Sequence, residues 1–524
     1  MIIVSAKRSR FITPPSPYWI KSTPETSFPE LGEDIQTDIA IVGGGIVGLT
    51  AAYLLAKHNL KIVVLEAGRI LQGTTGHTTA KITSQHSLIY ARLKNQLGEE
   101  PARQYAEANE NAIKFIADTV QENQIDCDFQ WRSAYVYTQS DQYIKQIEDE
   151  NQAAVSFGIK STVSGNCPLP FPVKAALRFD HQAQFHPLKY LKSLVRLLPE
   201  SCRIFEHTRA VNIEGEQIPT IITGQGRRVS AAKVIIASHY PFFDGGGLYF
   251  ARVYPTRSYI TGITITEKFP EGMYISAESP ARSLRSTPFH DNELILIGGE
   301  NHKTGQSANT SIHYDNLLTF AGDTFQVQDT LFRWSTQDYT TLDGIPYVGL
   351  LTFNHPRLYT ATGFGKWGMT NGTNAAIIIK DLIISGNNSY AKVFSPLRFT
   401  PKASAATFVT ENANVAKHFL LGKLSPALAE QNIPAGDARI INHEGEKLGV
   451  FKDDNNRLHI VDVICPHVGC ELSWNEAERS WDCPCHGSRF TYEGDIIEGP
   501  ALSHLHHPGE GQNQVEPNVF PTPE

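Results

Sequence analysis

Long apolar runs, basic runs and evenly spread cysteines are all missing from this 524-residue chain. No stretch reaches the roughly 18 apolar residues that mark a membrane-spanning helix. The best candidate, Ala375 to Ile384, is short and interrupted by Lys380 and Asp381, so no integral membrane span is expected. The N-terminal MIIVSAKRSRF has neither a continuous apolar h-region nor a small-residue cleavage site, which argues against a secretory signal. The balance of 46 Lys+Arg against 54 Asp+Glu is mildly acidic, net −8, without a long basic run, and nucleic acid is not an expected partner. Neither internal repeats nor low-complexity tracts occur. Cysteines number only seven: Cys127, Cys167 and Cys202 are scattered, while Cys465, Cys470, Cys483 and Cys485 fall together near the end. A secreted disulfide scaffold would spread its cysteines along the chain. This clustering reads as a metal site in an intracellular protein, and a cytoplasmic location is expected.

With 41% hydrophobic residues the chain can bury a sizeable core, and its length allows about three domains at roughly 150 residues each. Pro14, Pro15, Pro17, Pro24 and Pro29 predict an extended arm over 1–35. An α/β pattern starts at Asp38 and runs to about residue 400, with a helical stretch at Glu99 to Glu122 and β-branched runs such as Lys233 to Ala237. Residues 401–429 are richer in Ala and polar residues and read as a linker, helical around Val415 to Leu421. From about 430 to 524 the texture changes to short strands, ARIIN, KLGVF, RLHIVDVI and SRFTY, with turns at 443–445 and 453–456.

Residues 38–66 read DIAIVGGGIVGLTAAYLLAKHNLKIVVLE. A β run leads into Gly43-x-Gly45-x-x-Gly48, then a helix, then a second β run ending at Glu66. In a dinucleotide-binding turn the first glycine permits the tight turn, the second admits a pyrophosphate and the third packs helix on strand. The helix N-terminus favours phosphate, and the acid can accept hydrogen bonds from ribose hydroxyls. That acid also argues against a 2′-phosphate, leaving FAD or NAD. A second motif, Gly363-Phe-Gly365-Lys-Trp-Gly368, follows a β run and precedes a helix, but no second strand ending in an acid comes after it. It reads better as a turn approaching another part of the first cofactor than as an NAD(P)H site.

The order of the fingerprint, GTTGHTTAK (73–81), KVIIASH (233–239), LDGIPYVG (342–349) and TGFGKWGMTNG (362–372) resembles the D-amino-acid oxidase/glycine oxidase superfamily of FAD enzymes over about residues 36–395. The resemblance implies a Rossmann-like FAD-binding α/β domain (about 36–85, 200–245 and 335–395) and an α+β substrate cap (about 86–199 and 246–334). It implies that Gly73, Thr74, Thr75 and Gly76 run beside the FAD pyrophosphate and flavin. Gly363, Gly365 and Gly368 would bring a helix end to the flavin pyrimidine. The family oxidises C–N bonds of amines and amino acids by hydride transfer to the flavin. His77, Lys81, Tyr259 and Lys366 are the catalytic candidates, with His86 and Trp367 also near the flavin; each reads equally well as a structural polar residue. Arg257 and Arg333 could pair with a substrate carboxylate, although arginines salt-bridged within the cap are commoner.

Near the end, CPHVGCELSWNEAERSWDCPCHGSRF (465–490) offers Cys465-x-His467 and Cys483-x-x-His486, a set that alone could hold Zn²⁺. The C-x-H spacing is tight for a zinc finger, and Gly469, Gly487 and Ser488 are small enough to let backbone N–H groups reach bridging sulfides. The pair CPHVGC and CPCHGS resembles the Rieske [2Fe–2S] domain over about residues 430–510. The resemblance implies an all-β fold, Cys465 and Cys483 on one iron, His467 and His486 on the other, and a disulfide between Cys470 and Cys485. Such clusters span about −150 to +300 mV. Phe490 stands where high-potential members carry a Tyr that hydrogen-bonds a ligand sulfur, so a mid-range potential is expected.

Together these readings predict an FAD-dependent oxidoreductase that takes electrons from a small amine or amino acid and passes them through the cluster to a protein or quinone acceptor. Two alternatives remain: a reductase fed through the cluster, and a non-catalytic redox-sensing or assembly protein. A Rieske oxygenase would need a separate two-His-one-carboxylate iron site, and no segment offers one.

Overall fold

A computed structural model describes residues 15–424, 433–443 and 445–508. Residues 1–14 of the expected arm, 425–429 of the expected linker, Glu444 in an expected turn, and the chain from 509 onward lie outside the described residues. The chain divides into two compact units. The larger holds Ser16–Asn301 and His313–Val409; the smaller includes His302–Ile312 and the chain from Thr410.

The larger unit is built on two sheets. The first has eight strands, with the path Tyr347–Leu350, Leu358–Thr362, Arg228–Ile236, Ile35–Val42, Ile62–Leu65 and Cys202–Phe205. Ile35–Val42 pairs in parallel with both Arg228–Ile236 and Ile62–Leu65. A parallel strand covered on both faces needs apolar residues at every position, and the sequence IAIV supplies them. Ile39 and Ile41 enter one core cluster, Ala40 and Val42 the other. The helix Ile46–Ala56 follows the first strand directly. The late helix Gly368–Ile384 packs on it, close enough that a Cβ at Gly372 would stand 2.9 Å from Ile46 Cγ2.

The second sheet has nine strands and is mostly antiparallel. Its longest ladder, at one edge, pairs Val253–Ile265 with Val327–Thr341. Strand Val327–Thr341 and the short Lys81–Ile82 both belong to this sheet, so residues 81–82 and 335–341, expected with the cofactor-binding strands, pair instead with strands of the second sheet.

Two stretches differ from the sequence reading. Tyr18–Lys21 forms a helical turn inside the expected extended arm, with Pro17 at its N-cap, where a fixed φ of −69° suits a helix start. The expected linker is a continuous helix, Pro401–Leu424, opened by a proline at its first position.

Beyond the part of that helix from Thr410 on, the elements of the smaller unit among the described residues from 433 to 508 are all strands. Ala438–His443, Glu446–Lys452 and Leu458–Asp462 form a three-stranded antiparallel sheet, and four short strands from Ser473 to Glu498 form a second. Phe451, Val461, Val463, Trp481 and Phe490 fill its core.

Candidate functional site

The fingerprint turn is dictated by its glycines. Gly43 has φ +113°, and a Cβ there would meet Ala237 O at 2.4 Å; at Gly48 it would meet Gly43 O at 1.9 Å. Only glycine closes the strand onto the helix at this distance. Gly45 caps the helix Ile46–Ala56, and the Thr75 hydroxyl accepts from Ile46 N at 3.1 Å. The loop carrying Gly73 to Gly76 is thereby laid across the same helix end. Thr74 hydrogen-bonds His239 at 3.1 Å, and a Cβ at Gly76 would stand 2.5 Å from Leu71 O. Glu66 ends its strand and accepts from Gly44 N (2.8 Å) and Gly68 N (2.9 Å). Burial raises its carboxyl above the usual range, opposed by those two N–H groups and by the charge of Arg209. Each oxygen keeps a second lone pair, which suits ribose hydroxyl donors.

The late glycines sit at the head of the late helix. Gly363 has φ +79°, and a Cβ would lie 2.4 Å from Thr341 Cγ2. Gly365, at φ +53°, donates its N–H to Tyr339 O at 2.9 Å, and Gly368 is the first residue of the helix. Among the described residues no strand follows this helix before Ala438, so the second half of a nucleotide-binding βαβ unit is missing. The contact of Gly372 with Ile46 instead brings the late helix beside the first turn of the fingerprint helix.

The candidate side chains occupy distinct places. His77 donates from Nδ1 to Gly73 O at 2.9 Å, within its own loop. Lys81 donates to Tyr274 O at 2.9 Å and to the Ser283 hydroxyl; burial, then the charge of Arg285, lowers its ammonium to about 7. Lys366, at φ +78°, is exposed, with Asp338 the charge that acts on it. His86 is buried, accepts from Tyr105 OH at 2.6 Å, donates to Thr83 O at 2.8 Å and stacks on Trp367. Burial lowers it to about 3, so it is a neutral imidazole.

Tyr259 is fully buried, stacked on His313 with centroids 4.8 Å apart. The ladder pairs Arg257 with Gln337, Tyr259 with Ser335 and Thr261 with Arg333. Since side chains alternate along a strand, these six share one sheet face, and both Arg257 and Arg333 are buried on it. Arg257 donates to the Ser335 hydroxyl, and Arg333 lies over the Tyr314 ring at 5.2 Å.

In the smaller unit the two cysteine loops close in the same way. Cys465 N donates to Cys470 O (2.8 Å) and Gly469 N to Cys465 O (2.9 Å). Cys483 N donates to Ser488 O (2.8 Å) and Gly487 N to Cys483 O (3.1 Å). Gly469 (φ +78°) and Gly487 (φ +82°) supply the left-handed residue that each closure needs. Cys470 and Cys485 form a disulfide joining the loops. The Cys465 and Cys483 thiols, each 1% exposed, hydrogen-bond one another. That bond, with N–H groups of His467 and Val468 and the Ser488 hydroxyl, lowers Cys465, while Cys483 is pushed up. The His467 and His486 rings stand edge to face, centroids 5.1 Å apart. Two buried thiols in contact with one another and two imidazole rings in contact with one another, carried on matched loops, are the donor types that a Rieske cluster takes. Phe490 is fully buried behind them.

Sequence reasoning missed Trp19, Arg285 and Glu206. Glu206 accepts from Phe28 N and Ile70 N, both at 2.9 Å, tying the arm to the loop after Glu66. An acid directly after a buried strand (IFEH) was the only signal for it. No local pattern marks the other two.

Comparisons with known proteins match the two units in turn. The FAD dependent oxidoreductase family model matches residues 38–382, and the Rieske [2Fe-2S] domain model residues 423–509. YhfW of Bacillus subtilis (strain 168), which bears the name of a Rieske 2Fe-2S iron-sulfur protein, is 42% identical over 94% of this chain and 97% of its own length. Gamma-glutamylputrescine oxidoreductase of Escherichia coli (strain K12) is 25% identical over 68% of this chain and 85% of its own. The crystal structure of glycine oxidase from Geobacillus kaustophilus superposes with TM-score 0.59 at 17% identity, over 70% of this chain and 99% of that one. Among the described residues no helix is long and apolar enough to cross a membrane.

Proposed function

Because the chain belongs to the FAD dependent oxidoreductase family and carries a Rieske [2Fe-2S] domain behind it, we propose that it oxidises a C–N bond of an amine or amino acid and delivers the electrons through the cluster to an external protein or quinone. The observation that carries this reading is the pairing itself: bound FAD takes up a hydride, two electrons at once, whereas a [2Fe-2S] cluster passes one. A chain that holds both suits export of electrons to a one-electron partner better than their direct transfer to O₂. The relatedness to gamma-glutamylputrescine oxidoreductase supports an amine-type substrate.

In this proposal Gly43, Gly45 and Gly48 bring backbone to the pyrophosphate and Glu66 accepts from ribose. Gly73, Thr74, Thr75 and Gly76 flank the cofactor, and Gly363, Gly365 and Gly368 set the late helix end near it. Cys465, Cys483, His467 and His486 hold the irons. The face carrying Arg257, Tyr259 and Arg333 forms a polar wall for the substrate, where either guanidinium can pair with a carboxylate. Lys81, lowered to about 7, is positioned to take up a proton near neutrality; His77, Tyr259 and Lys366 orient substrate or flavin.

Anaerobic stopped-flow mixing with a panel of primary amines, N-methylated amines, amino acids and polyamines tests this. At least one class should bleach the flavin. If none does, while an external reductant fills the flavin by way of the cluster, electrons run the other way and the protein is a reductase.

A further inference from the structure

Four consecutive carbonyls in the loop after the glycine stretch are each held by a long-range side-chain donor. Trp334 Nε1 donates to His77 O at 2.8 Å and Trp19 Nε1 to Thr78 O at 2.6 Å. Arg285 donates to Thr79 O at 3.0 Å and Ala80 O at 2.7 Å. The donors come from three separate places: the turn Tyr18–Lys21, the strand Arg282–Phe289 and the strand Val327–Thr341. Arg285 also lies over the Trp19 ring at 5.5 Å, so two of the donors brace each other. Both side chains are essentially fully buried.

The path held in this way is strained. Ala80 is fully buried at φ +56°, a left-handed conformation that costs a residue with a Cβ about 1–2 kcal/mol. Such outliers persist only where the surroundings over-determine them, and here Arg285 holds the Ala80 carbonyl directly. Because the peptide unit is planar, fixing each carbonyl also fixes the N–H of the next residue on the opposite side. The other end of the loop is fixed at the fingerprint helix, where Thr75 accepts from Ile46 N. A loop pinned at both ends keeps one fixed path away from the fingerprint turn, which it touches at Thr75.

We infer that Trp19, acting with Arg285 and Trp334, is a positioning residue for FAD. The turn at Tyr18–Lys21 supplies an indole N–H that fixes the Thr78 carbonyl and, through it, the segment Gly73–Lys81 against the cofactor. This requires that FAD binds, and does not depend on which substrate is oxidised.

Trp19→Phe in the full-length holoenzyme keeps most of the ring and removes the donor. Tyr18→Phe serves as its control: it removes the bond from Tyr18 OH to Pro288 O (3.0 Å) in the same turn, and that bond does not reach the loop. FAD release, read as recovery of free-flavin fluorescence, should be about tenfold faster in Trp19→Phe, the scale of one lost hydrogen bond to a buried carbonyl. The visible flavin spectrum should shift, and Tyr18→Phe should match the wild type in both readouts. Equal release from all three proteins, or equal acceleration in both variants, overturns the inference, the second outcome assigning the turn a purely structural role. Should Trp19→Phe fail to accumulate, Trp334→Phe removes the donor to His77 O and carries the same expectation.

Discussion

Ser488 is the residue at which a single atom should be read out as a potential. Its hydroxyl hydrogen-bonds the Cys465 sulfur and accepts from Ala501 N at 3.0 Å, in a fully buried position. Donating to a sulfur that grows more negative on reduction favours the reduced cluster. A hydrogen bond to a charged group nets about 1.5–3 kcal/mol, and only the part that strengthens on reduction moves the potential. If about 1 kcal/mol of it does, a one-electron couple at about 59 mV per factor of ten shifts by about 40 mV. Ser488→Ala should therefore lower the midpoint by about that much in protein-film voltammetry, with an intact cluster confirmed by EPR. The Ala501 N–H loses its acceptor in the same variant, so stability should fall by about 1–3 kcal/mol. Ser488→Thr keeps a hydroxyl and should recover most of the potential. A Ser488→Ala midpoint equal to the wild type would refute the reasoning, whatever happens to stability.

Other perturbations probe different links. Phe490→Tyr adds a hydroxyl behind the cluster loops and should raise the midpoint in the same voltammetry; an unchanged value removes the explanation offered for a mid-range potential. Gly48→Ala places a Cβ 1.9 Å from Gly43 O, and the purified variant should lack flavin absorbance. Asp343 and Arg398 form a buried pair at 2.7 Å. Burial pushes the Asp343 carboxyl up, but the Arg398 charge and its hydrogen bonds more than offset this, leaving the pKa below the ordinary value. The carboxylate therefore contributes stability above the unfolded-state pKa, near 3.9, and loses it as pH falls through the folded value. Asp343→Asn should cost about 3–5 kcal/mol at neutral pH by chemical denaturation. The gap to the wild type should narrow under acid; a gap that widens there contradicts the assignment.

What could be read in the sequence follows from how local the physics is. The turn at Gly43–Gly48 and the CPHVGC and CPCHGS loops are specified within a few residues, by glycines that must adopt positive φ or admit a close neighbour, so the local shape of both was legible in the sequence alone. The four strands named after residue 430 correspond to observed strands for the same reason: alternation and turn residues are local. The segment 401–429 reads as a linker, helical only around Val415 to Leu421, because it is rich in Ala and polar residues and has no strand pattern; the helix runs over Pro401–Leu424, which alanine-rich sequence opened by proline favours on propensity alone. Prolines around Tyr18 suggested an extended arm, and the burial of Trp19 that makes the turn worthwhile comes from residues 59 or more positions away. Arg257 and Arg333 were noticed as charges. That they share a face with Tyr259 depends on the pairing of strands about 75 residues apart, which no local pattern encodes. Likewise Arg285 has no motif; only the folded sheet brings it under the carbonyls of Thr79 and Ala80.

The central claim is that substrate electrons reach the cluster by way of the flavin. Freeze-quench EPR on the anaerobic full-length protein, mixed with whichever amine or amino acid bleaches the flavin, measures this directly. A reduced Rieske signal that grows in step with flavin bleaching is the predicted result. Complete flavin bleaching with the cluster remaining oxidised would contradict it.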